Sequence, residues 1–588
     1  MSLEEKLLAE VSTDRAWKHI EEIVHQFPSR LAGTENCWNA AGYMHDNLKA
    51  AGVEAELMEY PGLVSFAGKG SLEILSPVQR TLPANVLFHS KGTVEPIEAE
   101  LVETGVGSWD SCEQAGIRGK IALSDLSYFP PRQEKQRIMS LQGALGALLL
   151  NWGYDDSTLL PYGSVKPCWG NPTRLTMRTE MPGIPCLGLS RVDGLWLRDL
   201  VARGPVQVRL SAECRDEWRP LRQAVGRVRS SSGSPEFAVL GGHMDSWFGQ
   251  AASDNAAGNA LFLEMARVFQ KHAGELRRGL TVGFWVGHET GTMIGSSHFV
   301  DVYWDDLREN AVAYLQVDQP AMIGTTLWET KSDVELHGFH SAIERRSLGG
   351  METHWNRLVR TGDTSFFGIG VPSMAGHTVF TKDEVKAMGM GNLGWWHHTD
   401  ASTIERLDKD LMGLHLRMHA AYLAELLTVP IVPARFTPTV KQMVDKVETL
   451  LPLGEEIGLA RAFGLAKEAL AAVEGLDAVA EGWREKASRG EAPDEVVQIL
   501  NSTLKALSRV LVPLGGTAAG TYGHDPYGLS SQSTLLPGLY ELPRMKAQPV
   551  GSEERNLLET ELIRQRNRFA DGMREVRDMA KRTAAAVK

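Results

Sequence analysis

The spacing of hydrophobic residues changes along the chain, and each change indicates a different kind of structure. Between residues 16 and 55 apolar residues recur at helical spacing, which predicts two helices, and the alternating segment "EAELMEYP" that follows is predicted to be a strand. Between about residues 68 and 215, short apolar runs alternate with turns, and one helix is predicted around 132–146. This pattern predicts a self-contained, β-rich insertion.

Strand and helix patterns alternate between residues 220 and 430. The segments "EFAVLGGH", "GLTVGFWVG" and "AVAYLQVD" are predicted to be buried strands, and "NAAGNALFLEMARVFQKH" is predicted to be a helix between the first two. Strands joined by helical crossovers form a mainly parallel sheet with helices on both faces, and sites in such sheets lie at the carboxyl ends of the strands. We therefore expect an α/β fold here, with any functional site at one edge of the sheet.

Long helical patterns dominate after about residue 435, at 437–487, 493–512 and 552–586. A stretch rich in Gly, Pro and Tyr separates the last two. These patterns predict a terminal helical domain that packs on the rest of the chain or on a second copy of it.

Composition and charge narrow the class of protein. The 588 residues are 43% hydrophobic and 23% charged, as in an ordinary globular protein, and their number predicts two to four domains. The formal net charge of −12 does not favour nucleic-acid binding. The chain shows no apolar run long enough for a membrane span, no signal-peptide pattern and no paired cysteines among its five. We therefore expect a cytoplasmic protein with reduced thiols and with neither membrane nor nucleic-acid partners.

Side chains of the types that bind metals follow the predicted strands of residues 220–430. In chain order they are His243, Asp245, Asp254, His288, Glu289 and Asp318, and the pair His397 and His398 comes much later. Each has an ordinary explanation when taken singly, because Asp caps helices and forms turns, and a histidine in an aromatic stretch is commonly structural. Together, however, they deliver His, Asp, Glu and Asp to the same edge of one sheet. Like charges gathered there repel each other unless a cation lies among them.

Mixed imidazole and carboxylate ligands are typical of divalent metals, zinc above all. Two such ions roughly 3.5–4 Å apart can share a carboxylate and clamp an attacking hydroxide. Asp245, two residues after His243, is of the right type to orient that imidazole from behind. The residues themselves therefore predict a metal centre.

Several motifs in a fixed order make the chain resemble the dinuclear zinc peptidase family of bacterial aminopeptidases and glutamate carboxypeptidase II. The motifs are "GGHMDSW", "SDNAAGNALFLEMAR", "GHETGTMIGSS", "VAYLQVD", "GDTSFFGIGVPSM" and "HHTDAST". The segments "GIRGKIAL", "GALGALLLNW" and "MPGIPCLGLSRVDG" resemble the protease-associated domain of the larger members. The C-terminal segments "PLGG", "YGHDPYG" and "PGLYEL" resemble the helical dimerisation domain of glutamate carboxypeptidase II and transferrin receptor.

The resemblance implies a fold and a division of the chain. The expected fold is α/β, a mainly parallel mixed sheet flanked by helices as in zinc aminopeptidases, with an inserted β-rich domain and a C-terminal helical domain. The expected parts are the N-terminal part of the peptidase-like domain (1–67), the protease-associated-like insertion (68–218), the metal-binding peptidase-like domain (219–432) and the dimerisation-like domain (433–588). A homodimer through the last part is expected.

The resemblance also implies two divalent ions, most commonly zinc, with manganese, cobalt or iron as alternatives. It assigns His243, Asp254 and Asp318 to one ion and Asp254, Glu289 and His398 to the other, with Asp254 as the bridge. His398 is preferred to His397 because it directly precedes Thr399, as the last ligand of the family does.

His288 departs from the family pattern. The family has two successive glutamates at this turn, a general base and then a ligand, whereas this chain has His288 and Glu289. A neutral imidazole, whose ordinary pKa is about 6.5, could accept the proton instead. Replacing a glutamate by histidine also makes the site more positive, which favours hydroxide or an anionic substrate. His288 as the proton-transfer group and His288 in a modified or purely positional role are both open.

The implied function is hydrolysis of an amide bond in a small peptide or in an N-acyl or N-carbamoyl compound, by a metal-activated hydroxide. An acyl transferase resembling glutaminyl cyclases, which use one zinc, and a non-catalytic binding protein of the transferrin receptor type are the alternatives. Asp363, His377 and Trp395 are the candidate substrate-binding residues. Glutamate carboxypeptidase II binds an acidic side chain through arginines, and the resemblance does not assign these to positions of this chain, although Arg357 and Arg360 precede "GDTSFF".

Overall fold

The computed structural model describes residues 3–588, which contain fourteen strands and eighteen α-helices. The strands are β1 (Glu54–Ser76), β2 (Arg80–Leu82), β3 (Asn85–Val86), β4 (Ile97–Glu103), β5 (Ile121–Asp125), β6 (Gly146–Leu150), β7 (Cys186–Leu189), β8 (Val206–Val228), β9 (Phe237–His243), β10 (Gly279–Trp285), β11 (Ala311–Gln316), β12 (Leu327–Ser332), β13 (Thr353–Arg357) and β14 (Ser373–Val379).

The helices lie before, between and after these strands along the chain. They are α1 (Leu3–Glu10), α2 (Thr13–Gln26), α3 (Glu35–Ala50), α4 (Trp109–Ala115), α5 (Arg132–Leu141), α6 (Thr176–Thr179), α7 (Arg191–Arg203), α8 (Ala257–Lys271), α9 (Ile294–Val302), α10 (Trp304–Asn310), α11 (His337–Ser347), α12 (Lys382–Ala387), α13 (Lys409–Thr428), α14 (Thr437–Leu450), α15 (Leu459–Ser488), α16 (Asp494–Gly516), α17 (Leu542–Ala547) and α18 (Glu553–Ala586). Across residues 3–588, none of them has the length and apolar character that a membrane crossing requires.

All the strands join one hydrogen-bonded sheet that has two halves. One half has the order β13-β12-β14-β11-β9-β10, the other has the order β4-β5-β6-β7-β3, and β8 lies between β10 and β4. The strands β10, β9, β11 and β14 are parallel, whereas β8 and β12 run antiparallel to their neighbours β10 and β14. Helices α8 and α13 pack on β9. The predicted fold class, a mainly parallel mixed sheet flanked by helices, is confirmed.

The two halves are joined by a long antiparallel ribbon of β1 and β8. The pairing runs from Glu54 opposite Arg227 to Ser76 opposite Gln207, with two register shifts. We expected "EAELMEYP" to be a strand of its own, before the short apolar runs that begin at about residue 68, but β1 continues through this limit to Ser76. Pro61 does not end the strand, because it lies directly opposite Pro220, so that the two residues that lack a ladder N–H face each other.

Hydrophobic cores follow the same division. One core extends from Leu7 through the β9–β11 region to Val587, so the C-terminal helices share it with the peptidase-like sheet. Two smaller cores lie around β4–β7, one of them containing Leu148 and the other Leu149. The predicted limits at residues 68 and 218 fall inside β1 and β8, and the domain boundaries stay a prediction.

The helix content differs from the sequence expectation in two places. Residues 68–218, the predicted insertion and called the inserted region below, contain α4, α6 and α7 in addition to the predicted helix. Gly194 weakened the helical signal of α7, yet it is needed there, because a Cβ at this position would lie 2.0 Å from a methyl carbon of Leu150. The predicted helix over 437–487 is divided into α14 and α15, which begins after Gly458 in a left-handed conformation (φ 68°).

We predict that Gly242→Ala lowers the free energy of unfolding by about 1–3 kcal/mol, because small-to-large changes strain a packed core. The added Cβ would lie 2.2 Å from the carbonyl oxygen of Val317, which is a backbone atom and cannot rotate away. Gly475→Ala is the matched control, because open space surrounds this position in α15 and alanine favours a helix by up to about 1 kcal/mol. Urea unfolding of both variants checks the prediction, and equal stabilities would contradict it.

Candidate metal centre

The candidate ligands come together because neighbouring parallel strands end at one edge of the sheet. His243 is the last residue of β9, Asp318 lies two residues after β11, and Glu289 lies in the turn after β10. Asp254 lies in the turn before α8. His398 is brought to the same edge by an irregular turn, where it has a left-handed backbone conformation (φ 57°).

Asp254 is the centre of the cluster, and its two oxygens face different partners. Its Oδ1 lies 3.1 Å from Nε2 of His243, and its Oδ2 lies 3.2 Å from Nε2 of His398. His243 Nε2 is also 3.3 Å from Oδ1 of Asp318, and His398 Nε2 is 3.5 Å from Oε1 of Glu289. The carboxylate of Asp254 therefore lies between two groups of side chains, as a bridging ligand would. One group is His243 and Asp318, and the other is His398 and Glu289.

The charges of the cluster require compensation. Asp254 and Glu289 are each only 3% exposed, and Oε1 of Glu289 is buried without a hydrogen-bond partner within residues 3–588. Burial lowers the pKa of His243, but Asp318 and Asp254 raise it well above its ordinary value. Burial raises the pKa of Asp254, but hydrogen bonds from His243 and His398 lower it well below its ordinary value. In the metal-free chain a proton on His243 thus supplies positive charge, and the three carboxylates and two imidazoles form a donor set that fits divalent ions.

Asp245 contacts the site differently from the sequence expectation. Its backbone carbonyl, and not its carboxylate, accepts the hydrogen bond from Nδ1 of His243 at 2.8 Å. Its carboxylate accepts two backbone N–H bonds, from His288 and from Glu289, each at 3.1 Å. The Asp245 side chain therefore fixes the turn that carries the next candidate residues, and the imidazole is oriented by the backbone.

His288 forms a pair with Asp363. The two are 3.0 Å apart, from Nδ1 to Oδ2, and the ring of His288 stacks on that of His243 with centroids 4.0 Å apart. Burial and His243 lower the pKa of His288, but Asp363 and Glu289 together raise it to about 8 in the metal-free chain. The other oxygen of Asp363 accepts from Ser296 at 2.8 Å. Asp363 was predicted to bind substrate, but it is 1% exposed and both oxygens are bonded, so it lies behind His288.

The structure distinguishes the two adjacent histidines. His398 faces both Asp254 and Glu289, as its assignment requires. His397 lies 3.4 Å from Asp254, but its Nδ1 accepts a hydrogen bond from the Gln319 amide at 2.8 Å. The two histidines thus differ in their partners, and the assignment of His398 as the ligand stays a prediction.

Comparisons with known proteins concern the part of the chain that carries these residues. Residues 224–423 match the sequence profile of Peptidase family M28, and this range includes every candidate ligand. Residues 224–423 are therefore similar to Peptidase family M28, and we call them the M28 segment. It is 25% identical over 343 residues to Probable glutamate carboxypeptidase VP8 of Zea mays, an alignment that covers 49% of this chain and 48% of the relative.

Two further similarities extend beyond the M28 segment. Aminopeptidase YwaD of Bacillus subtilis is 23% identical over 420 residues, which cover 67% of this chain and 80% of the relative. The structure of BSAP, a zinc aminopeptidase from Bacillus subtilis, covers 71% of this chain and 95% of its own with a TM-score of 0.55 and 17% identity. This last likeness supports the fold. The chain spans about half the length of the maize relative.

The remaining candidates of the M28 segment lie around the ligands. His377 on β14 is half-buried and approaches the backbone oxygen of Asp318 at 3.4 Å. Trp395 is half-buried beneath the guanidinium of Arg406, which is 4.6 Å from its ring centre. Roles for His377 and Trp395 in substrate binding stay predictions.

The two arginines before "GDTSFF" have different partners. Arg360 is buried, stacks over Trp169 at 4.2 Å and donates to Nδ1 of His524 at 2.6 Å. It therefore lies between the inserted region and the C-terminal region. Arg357 donates to the backbone oxygen of Leu358 at 3.3 Å.

Side chains from outside the M28 segment also contact the site, and no pattern in the sequence predicted these contacts. The ring of Trp152 stacks on His397 at 5.3 Å, and that of Tyr128 stacks on Trp152 at 5.4 Å. Within residues 3–588, the buried hydroxyl of Tyr128 has no hydrogen-bond partner. Burial lowers the pKa of His397 well below its ordinary value, and the charge of Arg132 lowers it further. Trp152 and His397 are 245 positions apart, so no local pattern could have revealed the contact.

We predict that Asp245→Ala lowers the free energy of unfolding of the metal-free protein by about 2–4 kcal/mol, because two buried N–H groups lose their acceptor. The control is Asp156→Ala in an exposed loop, where a change within about 0.5 kcal/mol is expected. Urea unfolding after chelation measures both variants. Equal effects would show that the carboxylate of Asp245 does not hold the turn.

Proposed function

We propose that the chain is a metal-dependent hydrolase that cleaves an amide bond in a small peptide or in an N-acyl or N-carbamoyl compound. The observation that carries the proposal is the convergence of four ligand-type side chains around Asp254 inside the M28 segment. The names of the relatives, an aminopeptidase and a glutamate carboxypeptidase, support a peptide-like substrate.

Two ions are proposed, most commonly zinc, with manganese, cobalt or iron as alternatives. His243, Asp254 and Asp318 would hold one ion, and Asp254, Glu289 and His398 would hold the other. The two oxygens of Asp254 face these two groups separately, which supports its assignment as the bridge. Divalent ions bound here would lower the pKa of a water molecule and polarise the carbonyl group of the substrate.

His288 is proposed to transfer the proton. Because Nδ1 points to Asp363, the tautomer that donates to this carboxylate leaves Nε2 free to accept a proton. Asp363 would orient the imidazole and stabilise its protonated form, as carboxylates do for catalytic histidines elsewhere. The stacking on His243 holds the ring of His288 beside the ligands. Nε2 would take the proton of the attacking water and return it to the leaving amine.

Two other functions remain to be separated from this one by experiment. A glutaminyl cyclase-like acyl transferase would bind one metal ion per chain, and a non-catalytic binding protein would show no turnover. A homodimer through α14–α18 and a cytoplasmic location are also proposed, on the resemblance and on the composition. Analytical ultracentrifugation tests the dimer.

We predict that the purified protein binds two equivalents of zinc, that His398→Ala keeps about one, and that Asp254→Ala keeps less than one. Asp254 serves both groups, whereas His398 serves only the group with Glu289. Elemental analysis after dialysis measures the content, and His377→Ala is the matched control because this imidazole is not assigned to either ion. One equivalent in the unchanged protein would favour the cyclase-like function, and none would contradict a metal-dependent hydrolase.

We predict that His288→Ala lowers kcat by about 10²–10⁴-fold with an unchanged metal content, because general acid–base catalysis contributes that range. Asp363→Asn should lower kcat by about 10–100-fold, because it removes the orienting charge. Aminoacyl 4-nitroanilides and N-acetylated dipeptides serve as substrates. His288→Glu should retain more activity than His288→Ala.

The outcomes separate the possible roles of His288. Loss of one metal equivalent in His288→Ala would show that His288 is a ligand, since it also lies near His243 and Asp318. Unchanged activity in His288→Ala and His288→Glu would show that His288 is not the base.

A further inference from the structure

The turn that carries Glu289 is held by hydrogen bonds from outside the M28 segment. The turn comprises residues 288–292, and three successive carbonyl groups in it accept bonds. Thr290 accepts from the ring Nε2 of His89 at 2.9 Å, Gly291 accepts from Nζ of Lys166 at 2.6 Å, and Thr292 accepts from the backbone N–H of Gly170 at 2.7 Å. Buried carbonyl groups in an irregular turn need such partners.

The turn that carries His398 is held in the same way. The indole N–H of Trp152 donates to the carbonyl of His397 at 3.0 Å, and the backbone N–H of Tyr162 donates to that of His398 at 2.7 Å. Residues 89–170 therefore bind the backbone of both turns whose side chains, Glu289 and His398, meet at Asp254.

Lys166 is the charged member of this set. Its side chain is fully buried, and its ammonium group donates to the carbonyl oxygens of Gly170 and Gly291 at 2.7 and 2.6 Å. Burial lowers its pKa to about 8. A buried ammonium group is costly to desolvate, and an apolar side chain of similar length would fill the space without that cost. The distinctive contribution of the ammonium group is therefore the link between the inserted region and the 288–292 turn.

We infer that Lys166 is a positioning residue of the metal centre, which holds the 288–292 turn so that the carboxylate of Glu289 meets Asp254 and His398. This inference rests on the proposed function, because it assigns Glu289 to a metal ion. Lys166 acts through the backbone of Gly291. Its removal should therefore alter the geometry and affinity of the ion held by Glu289, although every ligand residue is still present.

A second buried lysine makes the test selective. Lys135 is also fully buried in the inserted region, and it bonds only within that region, to the carbonyl of Asp125 and at 2.6 Å to Oγ of Ser127. Lys135→Met therefore removes a buried ammonium group from the same region without touching the 288–292 turn.

The experiment compares Lys166→Met with Lys135→Met in the full chain. Chelator competition measures the affinity for the first and second equivalents of Co²⁺, the visible absorption of the Co²⁺ protein reports ligand geometry, and urea unfolding after chelation measures stability. We expect Lys166→Met to weaken one Co²⁺ equivalent by about 10–100-fold and to change the visible spectrum, as removal of outer supports of metal ligands does. Lys135→Met should leave the Co²⁺ affinity and the visible spectrum unchanged, and its stability should be comparable to that of Lys166→Met.

The possible outcomes test the role of Lys166 and the proposed function separately. Equal Co²⁺ affinities and spectra in Lys166→Met and the unchanged protein would overturn the role of Lys166, whatever the effect on stability. If Lys166→Met does not fold, Lys166→Leu, which also lacks an N–H donor, is judged by the same criteria, whereas Lys166→Gln, which keeps one, should retain more of the Co²⁺ affinity. A protein that binds two Co²⁺ but hydrolyses no amide would refute the proposed function and leave the role of Lys166 intact. A protein that binds no second Co²⁺ would overturn both.

Discussion

The burial of several carboxylates around Asp254 is the constraint on which the site depends. Such groups repel each other in a medium of low dielectric constant and are stable together only with positive charge among them. In the metal-free chain, Asp254 is paired with the imidazoles of His243 and His398. Divalent ions would supply more charge in the same place, and their binding would release the proton that His243 carries. The turns around Asp254 therefore have to hold their side chains against this repulsion.

That requirement gives a physical role to the parts of the chain outside residues 224–423. The β1–β8 ribbon joins the inserted region to the sheet that carries the ligands. From there, the side chains of Lys166 and Trp152 reach the backbone of the two ligand-bearing turns. Carbonyl groups in irregular turns cannot be satisfied by a sheet ladder, so donors have to come from elsewhere. The inserted region is thus structurally continuous with the site.

His288 stands where the family that the sequence resembles has a glutamate, and its environment fits an imidazole. Asp363 is buried and oriented by Ser296, and it faces Nδ1 of His288. A glutamate at position 288 would place a second buried carboxylate against Asp363, which is unfavourable without a proton between them. The histidine and the aspartate therefore form one unit, and neither is explained alone.

The sequence by itself determined the α/β class and predicted that His243, Asp254, Glu289 and Asp318 lie together as candidate ligands, because strand periodicity is local and the ends of neighbouring parallel strands meet at one edge. It also indicated His398 through the motif around it. Only the tertiary structure decided that Asp245 supports a turn, that Asp363 lies behind His288, and that Lys166 holds Gly291. The two residues of each of these contacts are 43, 75 and 125 positions apart. Such contacts depend on how distant segments pack, and local spacing carries no information about that packing.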